Sequence, residues 1–202
     1  MTTVADALPP PAATRSPQPT PALIWLSGPL FGPAIIGLGW QVFSQQGLSH
    51  SLLALGLLLT GMEQGRMAMV DLRQVAAVGQ LVDDRRLVRF YYVLLLAIAG
   101  QLIGFYLAAV GWLGYGAGAI MISIIGFNLA AGLQLQPEAD PPLRSVSLRE
   151  RSGVLLADGL ALALVGLWLA DVGRVWIGAG LLTIALSYVA VKLVQGVRSR
   201  GY

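Results

Sequence analysis

The sequence predicts an all-α, multi-pass membrane bundle of six transmembrane helices arranged as three helical hairpins. Three observations support this fold class. Hydrophobic residues make up 56% of the 202 residues and charged residues only 11%, which lies outside the usual range of soluble domains. Long apolar segments follow one another along the chain, and arginines gather in alternate connections between them. We therefore expect the chain to face lipid over most of its length.

The first 21 residues have a different composition from the rest. They hold six of the eleven prolines, among alanine, threonine and serine. Such a segment cannot bury enough apolar surface to fold, so residues 1–21 are predicted to form a disordered cytoplasmic tail. The apolar run that follows begins too far from the N-terminus for a secretory signal. It is therefore predicted to be a retained helix.

A bilayer-spanning helix needs roughly 20 mostly apolar residues. Five segments meet this requirement directly: 21–43, 88–110, 113–135, 152–170 and 175–194. A sixth, 48–70, is interrupted by Glu63, Gln64 and Arg66, and we expect this helix to continue past the membrane surface. The predicted transmembrane domain covers residues 22–196, and residues 197–202 form a short basic cytoplasmic tail.

The distribution of basic residues predicts the orientation. Short turns join the helices in pairs, whereas arginine-rich segments follow the second and fourth helices, and Arg174 is the exception that lies in a short turn. Because basic residues in short loops are retained in the cytoplasm, both termini are expected there. The expected location is a bacterial inner membrane or a thylakoid-type membrane.

The second and third hairpins are similar in sequence. Aligning residues 104–124 with 166–186, a shift of 62, gives nine identities in 21 positions. These include Gly104 with Gly166 and Gly111 with Gly173. Both copies enter the membrane from the same side, so the pattern predicts a parallel internal repeat.

Five polar residues lie toward the cytoplasmic ends of the predicted helices: Glu63, Arg66, Asn128, Asp158 and Lys192. Charged side chains within a membrane are costly, and each is a functional hypothesis by default. If these five face the centre of the bundle, they line one polar cavity that opens to the cytoplasm. Alternatively, they extend to the interface or form pairs that hold helices in register.

Two pairings are expected among these polar residues. Glu63 and Arg66 are three positions apart on one helix and can form an ion pair. Asp158 should find a partner on the neighbouring helix of its hairpin, which offers Lys192 and the hydroxyls of Ser187 and Tyr188.

Small residues recur at four-residue spacing in several predicted helices. In lipid, such spacing lets two helix backbones approach closely, which favours either internal helix packing or an oligomer interface. The candidate packing positions are Gly28, Gly32, Gly61, Gly65, Gly100 and Gly104. Two Gly-Pro pairs at residues 28–29 and 32–33 predict a kinked first helix.

Several function classes are excluded by composition. The chain has no cysteine and one histidine, His50, which leaves no multi-histidine or thiolate metal site. His50 fits an interfacial or capping role better than ligation of a haem or pigment. The chain contains no known catalytic motif, and its basic residues form no stripe for nucleic acid. We therefore expect a protein that is not an enzyme and has no cofactor.

The consecutive two-helix units with Gly- and Ala-rich turns, over residues 90–195, resemble the HdeD-type acid-resistance membrane proteins of bacteria. The resemblance implies a helical hairpin architecture, and we take no function from it. The leading expectation is a small accessory subunit or assembly factor that packs against partner membrane proteins or further copies of itself. The alternative is a small-solute or ion transporter or channel with a cytoplasm-facing polar cavity.

Overall fold

The computed structural model describes residues 19–44 and 46–198, with side chains up to Ala190. The predicted N-terminal tail, apart from residues 19–21, lies outside the described residues, as do residues 199–202 of the predicted C-terminal tail. The helices are α1 (Pro21–Ser27), a 3-10 turn (Pro29–Phe31), α2 (Gly32–Phe43), α3 (Leu48–Leu81), α4 (Arg85–Ala109), α5 (Leu113–Ala130), α6 (Leu148–Leu169) and α7 (Arg174–Arg198). Two short strands, β1 (Leu133–Leu135) and β2 (Leu143–Ser145), pair antiparallel between α5 and α6.

Four helical segments of the described chain are long and apolar enough to cross a membrane: Pro21–Phe43, Arg85–Ala109, Leu113–Ala130 and Leu148–Leu169. They indicate a membrane-embedded protein. The predicted arrangement of six spans is not confirmed. Helix α3 is not among the four, since His50, Glu63 and Gln64 lower its hydropathy, and the part of α7 whose side chains are described, Arg174–Ala190, is apolar but shorter than a span.

The first predicted helix is divided into three parts. Thr20 caps α1 by accepting a hydrogen bond from the backbone N–H of Leu23 (3.3 Å). The helix is then interrupted at Pro29 by the 3-10 turn and resumes as α2, with Pro33 in its first turn. Because proline lacks a backbone N–H donor and fixes its φ angle, the two Gly-Pro pairs account for the break.

Helix α5 ends earlier than its predicted boundary at residue 135. It stops at Ala130, and Gly132 follows with φ +57°, a left-handed conformation that ends helices and that glycine adopts without steric cost. The Leu-Gln-Leu alternation of β1 then pairs with β2, with Leu133 opposite Ser145. The prediction of a helix over 113–135 was therefore wrong for its last turn.

Helix α4 begins at a capped turn. The carboxylate of Asp84 accepts a hydrogen bond from the backbone N–H of Arg86 (2.7 Å), and the Arg86 side chain also binds it at 2.7 Å. These bonds favour the charged carboxylate, so they hold the pKa of Asp84 below its usual value. Such a cap satisfies a backbone donor at the helix start, and it marks where α4 begins after the short connection from α3.

The contacts between helices are uneven across the bundle. Helices α4 and α5 form a tight antiparallel hairpin, α2 packs across both α3 and α4, and α6 packs against α5. Helix α7 makes its most extensive contact with α3, not with its chain neighbour α6. The buried side chains form one cluster, in which the rings of Phe31 and Phe105 meet edge to face with centroids 5.5 Å apart.

The predicted repeat of the second and third hairpins is not confirmed. Helix α4 ends at Ala109 and α6 at Leu169, which are 60 residues apart and not 62. Consistently, Asp171 takes the left-handed position after α6 that Gly111 takes after α4, and Gly173 is an additional residue with positive φ. The two turns therefore differ in length. The shift of 62 that aligns the sequences does not match the shift of 60 between the helix ends.

Candidate functional site

A cavity of about 660 Å³ lies between α3, α4, α5, α6 and α7. Most of its wall is apolar, with Leu53, Leu57, Val165 and Leu181 among the lining residues. Since this volume falls in the range of small-molecule sites, about 300–1,000 Å³, it is the principal candidate site in the described part of the chain.

Four of the polar lining residues lie toward one end of the cavity. Asp71, Asn128, Asp158 and Tyr188 line it, and each lies within ten residues of the end of its helix next to the loops that follow α3 and α5. At 1.5 Å per residue, that places them within about 15 Å of the helix ends. Gln64, and the buried Gln101, line the cavity at deeper positions. The cavity is thus amphipathic along its length.

A hydrogen bond between α5 and α6 forms part of the polar end. The side-chain amide of Asn128 donates to a carboxylate oxygen of Asp158, with a nitrogen–oxygen distance of 2.8 Å. One partner of Asp158 therefore lies on α5, and the partner expected from the sequence, Lys192 on α7, has its side chain outside the described residues. An amide is neutral, so the bond satisfies one carboxylate oxygen without cancelling its charge.

Arg151 also links α6 to α5, at the end of α6 nearest the segment that joins the two helices. Its guanidinium donates to the backbone oxygen of Asn128 (3.1 Å) and to that of Leu133 (2.9 Å). The first of these carbonyls lies in the last turn of α5, where carbonyls lack partners within the helix. Arg151 and Asp158 are seven residues apart and lie on the same face of α6. Both contact Asn128 in the last turn of α5.

The remaining polar candidates lie elsewhere or outside the described side chains. Glu63 and Arg66 form a bidentate ion pair within one turn of α3, at 2.6 and 2.8 Å, and neither is among the residues that line the cavity. Arg66 is half exposed and borders a separate shallow groove beside Trp25. Lys192 lies on α7, and its side chain is outside the described residues.

Five of the six candidate packing glycines lie against a neighbouring helix. A Cβ added at Gly28, Gly61 or Gly65 would meet Met69, Phe105 or Phe31 within 3.4 Å. A Cβ at Gly100 would lie 2.8 Å from the hydroxyl of Ser123. Gly104 is the most closely packed, because its added Cβ would lie 2.8 Å from the backbone oxygen of Gly116 on α5. At Gly32, no atom of the described residues lies within 4 Å of the added Cβ.

His50 lies in a buried network at the opposite end of the bundle from the polar cavity end. Its Nε2 is 3.0 Å from the side-chain oxygen of Gln41, and the Gln41 amide donates to the backbone oxygen of Ala109 (3.1 Å). The network links α2, α3 and the end of α4. This contact gives His50 a structural role between helices.

Sequence reasoning missed Asp71 as a lining residue, although a signal was present. Thr60, Gln64 and Asp71 are spaced by four and seven residues, so they lie on one face of α3, and all three line the cavity. A polar stripe on a helix otherwise rich in leucine marks the face that does not contact lipid. The helical period of α3 would therefore have identified Asp71.

Fold and site together define a helical, membrane-embedded protein with an amphipathic cavity between five helices. No protein-family model, curated protein or solved structure matches the chain. The functional argument therefore rests on the geometry of the cavity and the chemistry of its wall.

Proposed function

We propose that the protein is a non-enzymatic, six-span membrane protein whose central cavity binds a small solute and passes it to or from the cytoplasmic side. The observation that carries the proposal is the cavity of about 660 Å³ with the Asn128–Asp158 pair in its wall. An accessory subunit needs no internal void, whereas a transporter needs a solute site between its helices. The cavity therefore favours the second of the two functions expected from the sequence.

The proposed topology places both termini, and the polar end of the cavity, in the cytoplasm. Arginines flank the two connections at this end of the bundle and support this orientation. They are Arg85, Arg86 and Arg89 after residues 82–84, and Arg144, Arg149 and Arg151 in or just after the strand-containing segment 131–147. Both connections lie at the end of the bundle nearest Asp71 and Asp158. In this arrangement α3 and α7 complete six spans. The parallel repeat stays a hypothesis about the origin of the two hairpins.

The cysteine-free chain allows a direct test of the cavity by single-cysteine labelling. Ala157 and its neighbour Leu156 are both exposed, Leu156 by 77%, but Ala157 lines the cavity and Leu156 does not. In inside-out vesicles, a membrane-impermeant maleimide should react with Ala157→Cys and not with Leu156→Cys, because a thiolate forms only where water reaches the sulfur. Right-side-out vesicles should leave both variants unlabelled.

Three results of this experiment would count against the proposal. If Ala157→Cys were inert from both sides, the cavity would not be a solute site open to the cytoplasm. If Leu156→Cys reacted equally, the reagent would report only general exposure of α6. Co-purification of a stoichiometric membrane partner that protects Ala157→Cys would favour the accessory-subunit function.

A further inference from the structure

Helix α3 separates two spaces that share no lining residue. The cavity lies on one face of α3, and the shallow groove, of about 370 Å³, lies on the opposite face, between α3 and the broken first helix. The groove-lining residues of α3, together with Arg73, are spaced by three, four or seven positions and so share one face of the helix. They are Met62, Gly65, Arg66, Met69 and Arg73. A ligand of the groove is therefore separate from a solute in the cavity.

Most of the groove wall is apolar. Pro29 lies at the break in the first helix, and Ile35, Met62 and Met69 are among the other lining residues. Methionine side chains are flexible and polarizable, so they adapt to irregular apolar partners. This part of the groove fits a hydrocarbon chain.

An aromatic ring and an arginine mark one end of the groove. The guanidinium of Arg73 lies over the indole ring of Trp25, 5.3 Å from the ring centroid, and Trp25 lines the groove and is largely exposed. Tryptophan is enriched where a membrane meets water. Since Trp25 lies near the start of α1, this end of the groove is at the cytoplasmic surface in the proposed topology.

Stacking on Trp25 leaves the N–H donors of Arg73 accessible. The ring contacts the face of the guanidinium, whereas the N–H groups point outward in its plane. Arg73 is exposed, and none of the ion pairs between described side chains includes it. A planar guanidinium binds phosphate oxygens in a bidentate manner. Arg73 therefore presents a positive charge and directed donors at the membrane surface.

Arg66 lies deeper on the same face. It precedes Arg73 by seven residues, which places it about 10 Å farther from the cytoplasmic surface. Its charge is balanced by Glu63, which accepts two hydrogen bonds from it, at 2.8 and 2.6 Å. The groove therefore carries a charge at the surface, a neutral polar pair below it, and apolar side chains beyond.

We propose that this groove binds an anionic phospholipid of the cytoplasmic leaflet, with its phosphate at Arg73 and one acyl chain along Met69, Met62 and Ile35. The order of groups along the groove matches the phosphate, the esters and the chain of such a lipid. Charge complementarity with Arg73 favours a lipid of net negative charge over a zwitterionic one. This site goes beyond the proposed function, and only its assignment to the cytoplasmic leaflet rests on the proposed orientation.

Fluorescence quenching by brominated lipids tests the site on the full chain. The protein is reconstituted into phosphatidylcholine vesicles that contain a small, fixed fraction of either phosphatidylglycerol or phosphatidylcholine with brominated acyl chains. With random mixing both brominated lipids quench tryptophan equally, so an excess with phosphatidylglycerol measures selective binding. We expect an excess for the wild-type protein that disappears in Trp25→Phe, because Trp25 is the tryptophan that lines the groove.

Three arginine variants separate this site from general surface charge. Arg73→Gln should lower the preference for phosphatidylglycerol about fivefold, the factor that one arginine near a membrane surface contributes. Arg73→Lys keeps the charge and should retain most of the excess. Arg89→Gln is the matched control, because Arg89 is exposed near the start of α4 and lies over no described aromatic ring; it should leave the excess unchanged. For the wild-type protein, concentrated salt screens the arginine–phosphate attraction and should reduce the excess without any substitution.

Several outcomes would overturn the inference. Equal quenching by the two brominated lipids would show no selection, and so would an excess that neither Arg73→Gln nor salt reduces. Equal losses in Arg73→Gln and Arg89→Gln would show that general surface charge, and not the groove, attracts the lipid. An excess that persists in Trp25→Phe would place the lipid elsewhere. Maleimide labelling of the cysteine at position 157 tests the cavity separately, so the proposed function stands or fails independently of these results.

Discussion

The close approach of α4 and α5 provides a quantitative test of the helix packing. A Cβ added at Gly104 would lie 2.7 Å from the side chain of Ile120, 2.8 Å from the backbone oxygen of Gly116 and 3.0 Å from the backbone nitrogen of Ile120. Backbone atoms cannot move aside as a flexible side chain does. Gly104→Ala must therefore push the two helices apart.

The expected magnitude follows from two opposing effects. Overpacking a well-packed contact typically costs about 1–3 kcal/mol. Replacing glycine by alanine inside a helix raises the free energy of unfolding by about 0.5–1 kcal/mol, because alanine loses less backbone entropy on folding. We therefore expect Gly104→Ala to lower the free energy of unfolding by roughly 1–2 kcal/mol, from the balance of the two effects.

Gly166 on α6 provides a matched control. The sequence alignment pairs it with Gly104, but its added Cβ would have no atom of the described chain within 4 Å. Gly166→Ala should therefore be neutral or stabilising, by up to about 1 kcal/mol. The two variants should differ by roughly 1–3 kcal/mol, or about 2–12 °C in Tm for a chain of this size.

Thermal unfolding of the two variants in the same detergent, followed by circular dichroism, measures this difference. Equal melting temperatures would show that α4 and α5 are not as close as the structure places them. If both variants were destabilised alike, Gly166 would also be packed, and the third hairpin would resemble the second as the repeat predicts.

Two further predictions concern the helix junction and the orientation. Arg151→Ala should lower the free energy of unfolding by about 1.5–3 kcal/mol, because it removes charged hydrogen bonds to Asn128 and Leu133; Arg149→Ala, measured by the same thermal unfolding, is the control. Reporter fusions after Gln46, Trp112 and Asp171 should report the outside, and fusions after Asp84, Asp140 and Tyr202 the cytoplasm. A cytoplasmic signal after Asp171 would rule out six spans.

Much of the helical framework could be predicted from the sequence because helix formation in lipid depends on local properties. The apolar run 21–43 and its break at the Gly-Pro pairs follow from composition and from the missing donor of proline. The Glu63–Arg66 pair follows from the helical period. These features need no knowledge of how distant helices meet.

The cavity and the contact between Asn128 and Asp158 could not be predicted, because both depend on which helices become neighbours. Short connections suggest that consecutive helices pack together, so α7 was the natural place to look for the partner of Asp158. In the structure α7 packs mainly on α3, and among the described side chains Asn128, at the end of α5, binds Asp158. The same departure of α7 from α6 leaves room for the cavity.

The size of the cavity implies that it is not empty in a membrane. An enclosed void costs about 24 cal/mol per Å³, so any enclosed part of the space would be costly to leave unfilled. Water is a poor filler for a wall of leucine, valine and alanine. Lipid or detergent chains therefore fit the apolar part of the cavity better than water does.

Filling part of the void with a side chain should then stabilise the protein. Ala161→Trp places an indole in the cavity, and filling on the order of 100 Å³ contributes about 2 kcal/mol. In a detergent too bulky to enter, Ala161→Trp should melt about 4–8 °C above Leu160→Trp, whose indole lies outside. In lipid vesicles, where a ligand or a lipid chain already fills the space, the advantage should shrink or reverse. A lower melting temperature for Ala161→Trp in both media would show that α3, α6 and α7 already meet where the structure leaves room.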